Sequence, residues 1–113
     1  MSLDITLTAN HCACCNRYDE VYWCNITHNL GPMARKAGLY ECLWNCKENG
    51  YLQAKHITEH LENGLKRLKR APYYYKKFDA ENGWGTYKGF VPFVEALLEA
   101  CKENPTARIE VDK

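Results

Sequence analysis

The chain has 113 residues, of which 46% are hydrophobic and 26% charged, with a formal net charge of +1. These values are typical of globular proteins and exclude an intrinsically disordered chain, and the length predicts a single domain spanning residues 1–113. The near-zero net charge also excludes a strong overall field that would attract nucleic acid or a membrane surface.

Two stretches near the N-terminus alternate between apolar and polar residues, as half-buried β-strands do. The apolar positions are Leu3, Ile5 and Leu7 in the first stretch, and Tyr22, Cys24 and Ile26 in the second. Residues 107–112 repeat the alternation near the C-terminus. We therefore expect a hairpin with a third strand beside it, which together form a three-stranded antiparallel sheet.

The chain between the hairpin and the last strand has helical periodicity. Gly31-Pro32 suits the start of a first helix and Gly38 its end, because proline lacks an N–H and glycine accepts a left-handed conformation. The predicted helices are residues 31–38, 51–70 and 87–104, with a short helical segment at residues 39–46 and one further turn at residues 73–78. The fold class is therefore α+β, with the small sheet packed against three to four helices.

The cysteines predict reduced thiols in a cytoplasmic protein. Seven cysteines cannot all pair internally, and neither a signal peptide nor a membrane-spanning apolar run is visible. Cys12 and Cys15 form a Cys-x-x-Cys pair that could chelate zinc, although two ligands make only half of a closed structural site. A loop with reactive thiols is the favoured interpretation, zinc binding is the alternative, and several other cysteines are expected to be buried.

Residues 56–60 match the His-x-x-Glu-His pattern of some zinc proteases. Residues four apart share one face of a helix, so His56 and His60 have the required spacing. Ile57 lies on the predicted apolar stripe, which instead indicates that His56 and Glu59 flank the core in solvent. We therefore do not predict hydrolase activity from this motif.

A basic and aromatic segment follows the longest predicted helix. Cations next to tyrosines can hold single-stranded nucleic acid through phosphate contacts and base stacking. The alternative is a solvated helix end whose cations complement the helix dipole. The residues that would form the nucleic-acid surface are Lys66, Arg67, Lys69, Arg70, Tyr74, Lys76 and Lys77.

A dense run of polar residues, 25–29, lies at the junction between the second predicted strand and the first predicted helix. Asn25, Thr27, His28 and Asn29 bring four hydrogen-bonding side chains to one element boundary, where proteins often place binding groups. His28 could also transfer protons near neutral pH. The competing explanation is structural, since asparagine and threonine cap helices and a histidine can satisfy neighbouring carbonyls.

A second unusual loop places Trp84 between Gly83 and Gly85 and is followed by Tyr87. Asn82-Gly83 is a strong turn signal. A tryptophan held in this way either fills the core or anchors an interface. We expect Trp84 and Tyr87 to complete the site that the polar run begins.

Three motifs, at residues 25–34, 37–44 and 82–90, resemble motifs of a known group of proteins. Asn-Ile-Thr-His-Asn-Leu-Gly-x-Met-Ala, Ala-Gly-Leu-Tyr-x-x-Leu-Trp and Asn-Gly-Trp-Gly-Thr-Tyr-x-Gly-Phe resemble small uncharacterised proteins of bacteriophages and prophages. The resemblance covers roughly residues 22–112 and leaves the Cys12–Cys15 pair outside the motifs. It implies a phage-related accessory role in a bacterial cytoplasm and assigns no catalytic residue.

The leading functional prediction is a small non-enzymatic domain that binds a protein partner or a small polar ligand. Its predicted site residues are Asn25, Thr27, His28, Asn29, Trp84 and Tyr87. One alternative is a nucleic-acid-binding protein that uses residues 66–77. The other is a small enzyme with His28 as acid or base, which is weakened because no nucleophile–base pair or carboxylate pair is visible.

Overall fold

The computed structural model describes residues 2–12, 14 and 17–113, with the backbone alone at residues 10–12, 17 and 18. These residues form three β-strands, one short 3-10 helix at His28–Leu30 and five α-helices. The strands are β1 (Ser2–Cys12), β2 (Arg17–Thr27) and β3 (Arg108–Asp112). The helices are α1 (Gly31–Ala37), α2 (Tyr40–Trp44), α3 (Ala54–Arg70), α4 (Pro72–Lys76) and α5 (Tyr87–Glu103).

The sheet is antiparallel, with β1 between β2 and β3. Ile5 pairs with Cys24 of β2 and with Val111 of β3, as the alternation predicts. The α+β class and the three-stranded sheet are thus confirmed. The register matters because a slip of one residue would turn every apolar side chain of a strand to the wrong face.

The helices cover the apolar face of this sheet and form one hydrophobic cluster with it. Leu3, Ile5 and Leu7 of β1 are fully buried, as are Ile57 and Leu61 of α3. α3 also packs along α5. The opposite face of the sheet carries polar side chains, and Trp23 there is 55% exposed.

Two sequence expectations differ from the structure in detail. The longest helix begins at Ala54 and not at residue 51, because the preceding residues pair with the sheet: Ala54 N donates to Ala107 O at 2.9 Å. The alternation of β1 puts Thr8 on the polar face of the strand, next to the apolar Leu7, yet Thr8 is only 8% exposed. Glu20 and Arg108 stand opposite Thr8 on the two neighbouring strands, and side chains at opposed positions cover one another.

The approach of the segment before α2 to α3 depends on a glycine. Gly64 of α3 lies directly against the side chain of Leu39, so closely that a Cβ atom at residue 64 would overlap two of its methyl groups. Leu39 is fully buried and precedes α2. The glycine therefore sets how far the segment leading into α2 can approach α3.

We expect Gly64→Ala to lower the free energy of unfolding by about 1–3 kcal/mol, because the added methyl group overpacks a closed core. Gly89 of α5 is the matched control: its Cβ would meet only Thr86 Oγ1, at 3.5 Å. Gly89→Ala should be neutral or stabilising by up to about 1 kcal/mol, because alanine favours the helix. Urea unfolding of both variants tests this, and an unchanged or raised stability of Gly64→Ala would contradict it.

Candidate functional site

The end of β2 is closed by a threonine cap. Thr27 has extended backbone angles, and its hydroxyl accepts a hydrogen bond from Asn29 N at 3.2 Å. This starts the 3-10 helix, which leads directly into α1, where Pro32 occupies the first turn. The cap therefore gives Thr27 a structural role and presents His28 at the junction.

His28 is held by a tryptophan from α2. Trp44 Nε1 donates a hydrogen bond to His28 Nδ1 at 2.9 Å, and Trp44 is only 4% exposed. Since Nδ1 accepts, the imidazole is the neutral tautomer with its proton on Nε2. The described residues provide no partner for that Nε2–H, so His28 offers a free donor.

A cavity of about 400 Å³ opens beside this pair, and we call it the His28 pocket. Tyr40 stacks on Trp44 at 5.0 Å between ring centroids, and the Arg35 guanidinium lies 4.1 Å above the Tyr40 ring. The lining residues are His28, Gly31, Pro32, Arg35, Tyr40, Trp44 and Lys113. The lining therefore combines an aromatic stack with two cationic side chains, of which Lys113 is already paired with Glu48.

Lys113 closes the pocket from the end of β3. Its Nζ donates to Trp44 O at 3.0 Å and to Asn45 Oδ1 at 2.9 Å, and it lies 2.6 Å from Glu48 Oε2. The Lys113 hydrogen bond lowers the pKa of Glu48 below its ordinary value. This network fixes the chain after β3 against the C-terminal end of α2.

The tryptophan loop, residues 82–86, docks on the polar run. Asn29 Nδ2 donates to the backbone oxygen of Trp84 at 2.9 Å. Gly85 lies so close that a Cβ there would stand 3.1 Å from both Thr27 Cγ2 and Asn29 Cβ. The loop and the run therefore meet, and the indole of Trp84 remains 73% exposed.

The predicted site residues divide into separate places. Trp84 is not among the residues that line the His28 pocket. Asn25 lies on the polar face of the sheet, where its Nδ2 donates to Asp4 Oδ1 at 2.6 Å. Tyr87 donates its hydroxyl to Leu68 O at 2.8 Å, so it joins α5 to α3. The structure brings Asn29, Thr27 and the tryptophan loop together, with His28 facing a different cavity.

Sequence reasoning missed Trp44, which binds His28, and three other side chains that line the pocket with it, namely Arg35, Tyr40 and Lys113. Tyr40 and Trp44 are four residues apart, so a helix in this short segment would stack them on one face. That spacing was the one sequence feature that could have indicated the aromatic stack beside His28. The approach of Lys113 to Trp44, in contrast, depends on the tertiary fold.

The basic segment is distributed over several surfaces. Arg67 Nη1 donates to Ala37 O at 3.0 Å on the α1 side of α3, whereas Lys69 forms an ion pair with Glu95 of α5 at 3.1 Å. Tyr74 packs edge-on against Tyr75 and Phe78. The exposed cations that remain are Lys66, Arg70, Lys76 and Lys77. A nucleic-acid surface at residues 66–77 stays a prediction.

The side chains that the structure describes contain no metal site, and those of the proposed ligands Cys12 and Cys15 are not among them. No group of three or more described His, Cys, Asp or Glu residues could hold a metal ion. Cys15 and the side chain of Cys12 lie outside the described residues. His56, expected in solvent, is exposed but caps α3: its Nδ1 accepts from Leu52 N and Gln53 N at 3.2 and 3.1 Å.

Four other cysteines behave as small apolar residues. Cys24, Cys42, Cys46 and Cys101 are at most 8% exposed, and burial raises the pKa of each thiol to about 12. Cys46 Sγ donates to Cys42 O and Cys42 Sγ to Leu39 O. A thiol held protonated is a poor nucleophile and a poor metal ligand.

Comparison of the chain with protein-family models, with curated proteins and with solved structures found no match. The resemblance to small phage proteins accordingly stays a prediction. Among the described residues, no helix has the length and apolar character needed to cross a membrane.

Alkylation should separate the exposed thiol from the buried ones. In native protein at pH 8, we expect iodoacetamide to modify Cys14, which is exposed, and to leave Cys24, Cys42, Cys46 and Cys101 unmodified until urea unfolds the chain. Peptide mass spectrometry reads each site. Rates at the four buried cysteines equal to that at Cys14 would contradict the structure.

The same buried thiols make the free energy of unfolding depend on pH in the alkaline range. Their folded pKa of about 12 lies above the ordinary 9.0, so protonation favours the folded state, and this contribution is complete below pH 9. We expect the free energy of unfolding to fall as pH rises from 9 toward 12, as measured by urea titration. Cys24→Ala should show a shallower fall than the parent.

The docking of the tryptophan loop can be tested at its glycines. Gly85 has φ +108° and contacts residues 27 and 29, whereas Gly83 has φ +77° with nothing within 4 Å of its Cβ position. Both alanine variants suffer backbone strain, but only Gly85→Ala adds a steric clash. We expect Gly85→Ala to be less stable than Gly83→Ala by about 1 kcal/mol or more in urea unfolding. Equal stabilities would indicate that the contact is unimportant.

Proposed function

We propose that this protein is a small non-enzymatic binding domain that holds an anionic group of a partner or ligand in the His28 pocket. The hydrogen bond from Trp44 Nε1 to His28 Nδ1 carries the proposal, because it leaves Nε2–H as the free donor of a histidine that lines the cavity. A donor whose orientation is fixed in advance costs little entropy when a ligand binds.

The charges around the pocket support an anion as the ligand. Arg35 lies on the Tyr40 ring and forms no ion pair within the described residues. The nearby carboxylate of Glu41 accepts hydrogen bonds from Asn45 and Asn49, which lower its pKa below the ordinary value. The charge of Arg35 also helps to lower this pKa, but Arg35 forms no hydrogen bond or ion pair with Glu41, so its N–H groups remain open to an incoming anion, which would compete with Glu41 for the guanidinium.

The shape of the pocket supports a carboxylate that carries a flat or apolar portion. Tyr40 and Trp44 stack with an interplanar angle of 10°, so the aromatic wall that they contribute to the pocket consists of ring edges. Arginine and histidine N–H groups match the planar geometry of a carboxylate. The ligand would place its carboxylate between Arg35 and His28 and its apolar part along this wall.

Binding without catalysis is the better-supported activity. His28 Nδ1 is occupied by Trp44, and the described residues place no carboxylate or nucleophile in hydrogen-bond contact with the ring. A general base usually needs such a partner to orient and polarise it. An acid–base role for His28 is therefore the weaker alternative.

The broader role follows from the resemblance and is equally a proposal. The motif residues His28, Gly31, Tyr40 and Trp44 all line the pocket, which supports it as a feature of the phage-type proteins that the sequence resembles. On this basis the domain acts as an accessory protein in a bacterial cytoplasm. The exposed Trp84 would contact a protein partner.

Titration with a simple carboxylate tests the pocket. N-acetylglycine and its neutral analogue N-acetylglycinamide are added to ¹⁵N-labelled protein, and the indole N–H signal of Trp44 is followed by NMR. We expect a saturable shift with the acid and none with the amide, because only the acid has the charge that Arg35 and His28 would bind.

Two charge-neutralising variants of α1 provide the matched comparison. Arg35→Gln should weaken binding of N-acetylglycine by about tenfold, which is about 1.4 kcal/mol. Lys36→Gln removes the same charge from the adjacent exposed residue, which does not line the pocket, and should leave binding within about twofold. Equal effects of the two variants, or equal binding of acid and amide, would overturn the proposal.

A further inference from the structure

A groove of about 370 Å³ runs along the outer edge of β3, beside the His28 pocket, and we call it the edge groove. Its apolar lining comes from Trp44, Tyr51, Leu52, Ile109 and Val111. Leu52 is 59% exposed, so its side chain is open to solvent at the border of the groove. Charged side chains stand along the rim, where Lys113 pairs with Glu48.

The backbone of β3 is only partly paired on this side. Ile109 N donates to Leu52 O at 3.0 Å, and Ala107 O accepts from Ala54 N at 2.9 Å. Alternate residues of a strand direct their N–H and C=O groups to opposite edges. The C=O of Ile109 and both backbone groups of Val111 therefore face the groove, and the described residues offer them no backbone partner.

This arrangement resembles a sheet whose fourth strand has been started and then interrupted. Residues 52–54 run antiparallel to residues 107–109 and pair with them, and the residues before Leu52, which line the groove, form no backbone hydrogen bond with Val111. An unpaired strand edge is a template for another extended chain, since main-chain hydrogen bonds supply affinity and side-chain pockets supply specificity. The edge at Val111 continues the line that residues 52–54 begin.

We propose that the edge groove binds an extended segment of a partner protein, which adds to β3 as a fourth strand. The free groups span residues 109–111, so roughly three residues of the segment pair with the edge, at about 3.3 Å per residue. A helix cannot offer these hydrogen bonds because its own backbone groups are already paired. An apolar side chain of the segment lies against Leu52 and Trp44.

The segment also supplies the anion, and this part rests on the proposed function. The edge groove and the His28 pocket share Trp44 and Lys113 as lining residues. A segment that leaves the groove past Lys113 therefore reaches His28 and Arg35. Its carboxylate is a free C-terminus if the segment runs parallel to β3, or an acidic side chain if it runs antiparallel.

The test begins with a random heptapeptide library displayed with free carboxyl termini and selected on the intact protein. Enriched peptides are synthesised and titrated into ¹⁵N-labelled protein.

Hydrogen exchange measures whether the peptide pairs with the edge of β3. Before the peptide is added, Val111 N–H should exchange with solvent faster than Glu110 N–H, which faces β1. A bound peptide should slow the exchange of Val111 N–H by about tenfold or more. No enrichment, or binding that leaves Val111 unaffected, overturns the inference.

Backbone hydrogen bonding is tested from both sides of the contact. Val111→Pro removes the N–H from an edge position that tolerates proline, and it should reduce affinity by about tenfold or more. Val111→Ala shortens the side chain but keeps the N–H, and should bind within about threefold. In the unchanged protein, N-methylation of the peptide residue opposite Val111 should abolish binding. Full affinity of that N-methylated peptide would contradict strand addition.

The anionic end has its own measurements, so the two proposals can fail separately. A C-terminal amide and a Glu-to-Gln or Asp-to-Asn peptide identify which carboxylate matters, and Arg35→Gln should weaken the acidic peptide alone. If Val111 is protected but neutral peptides bind equally well, strand addition stands and the anion site fails. If the acid matters but N-methylation does not, the anion site stands and strand addition fails.

Discussion

The hydrogen bond between Trp44 and His28 is the contact on which the candidate sites depend. A buried indole N–H needs an acceptor, because leaving it unpaired costs about 1–3 kcal/mol. His28 Nδ1 provides that acceptor at 2.9 Å and thereby joins the end of β2 to α2. Tyr40 then stacks on the fixed indole, and Lys113 binds the carbonyl of the same tryptophan. One hydrogen bond thus orders the wall between the His28 pocket and the edge groove.

The strand pattern was predictable because its physical cause is local. Alternation alone placed Cys24 on the core face of β2, opposite Ile5 or Thr6, and the structure pairs it with Ile5; Gly31-Pro32 and Gly38 marked the ends of α1. Gly38 adopts φ +75°, a conformation that glycine accepts without strain. The start of α3 was less predictable, since residues 52–54 follow the edge of β3, and that contact is absent from any local pattern.

The candidate site was predictable only in outline. The polar run identified His28 at the junction, and the tryptophan loop does meet Asn29. The aromatic partner of His28 lies 16 residues further along the chain, and Lys113 lies 69 residues from the Trp44 carbonyl that it binds. Polarity marks residues that can form hydrogen bonds, but it does not specify their partners. Those follow from how α2 packs, which no short window of sequence contains.

That packing traces back to the core. Gly64 lets Leu39 sit against α3, and the carbonyl of Leu39 accepts from Leu43 N within the turn that forms α2. The position of α2 in turn determines where Trp44 meets His28. A change in the interior, remote from either cavity, would therefore shift the indole and alter both sites. The glycine in the core and the histidine at the strand end are linked through α2, so the geometry of the surface sites depends on the packing of the interior.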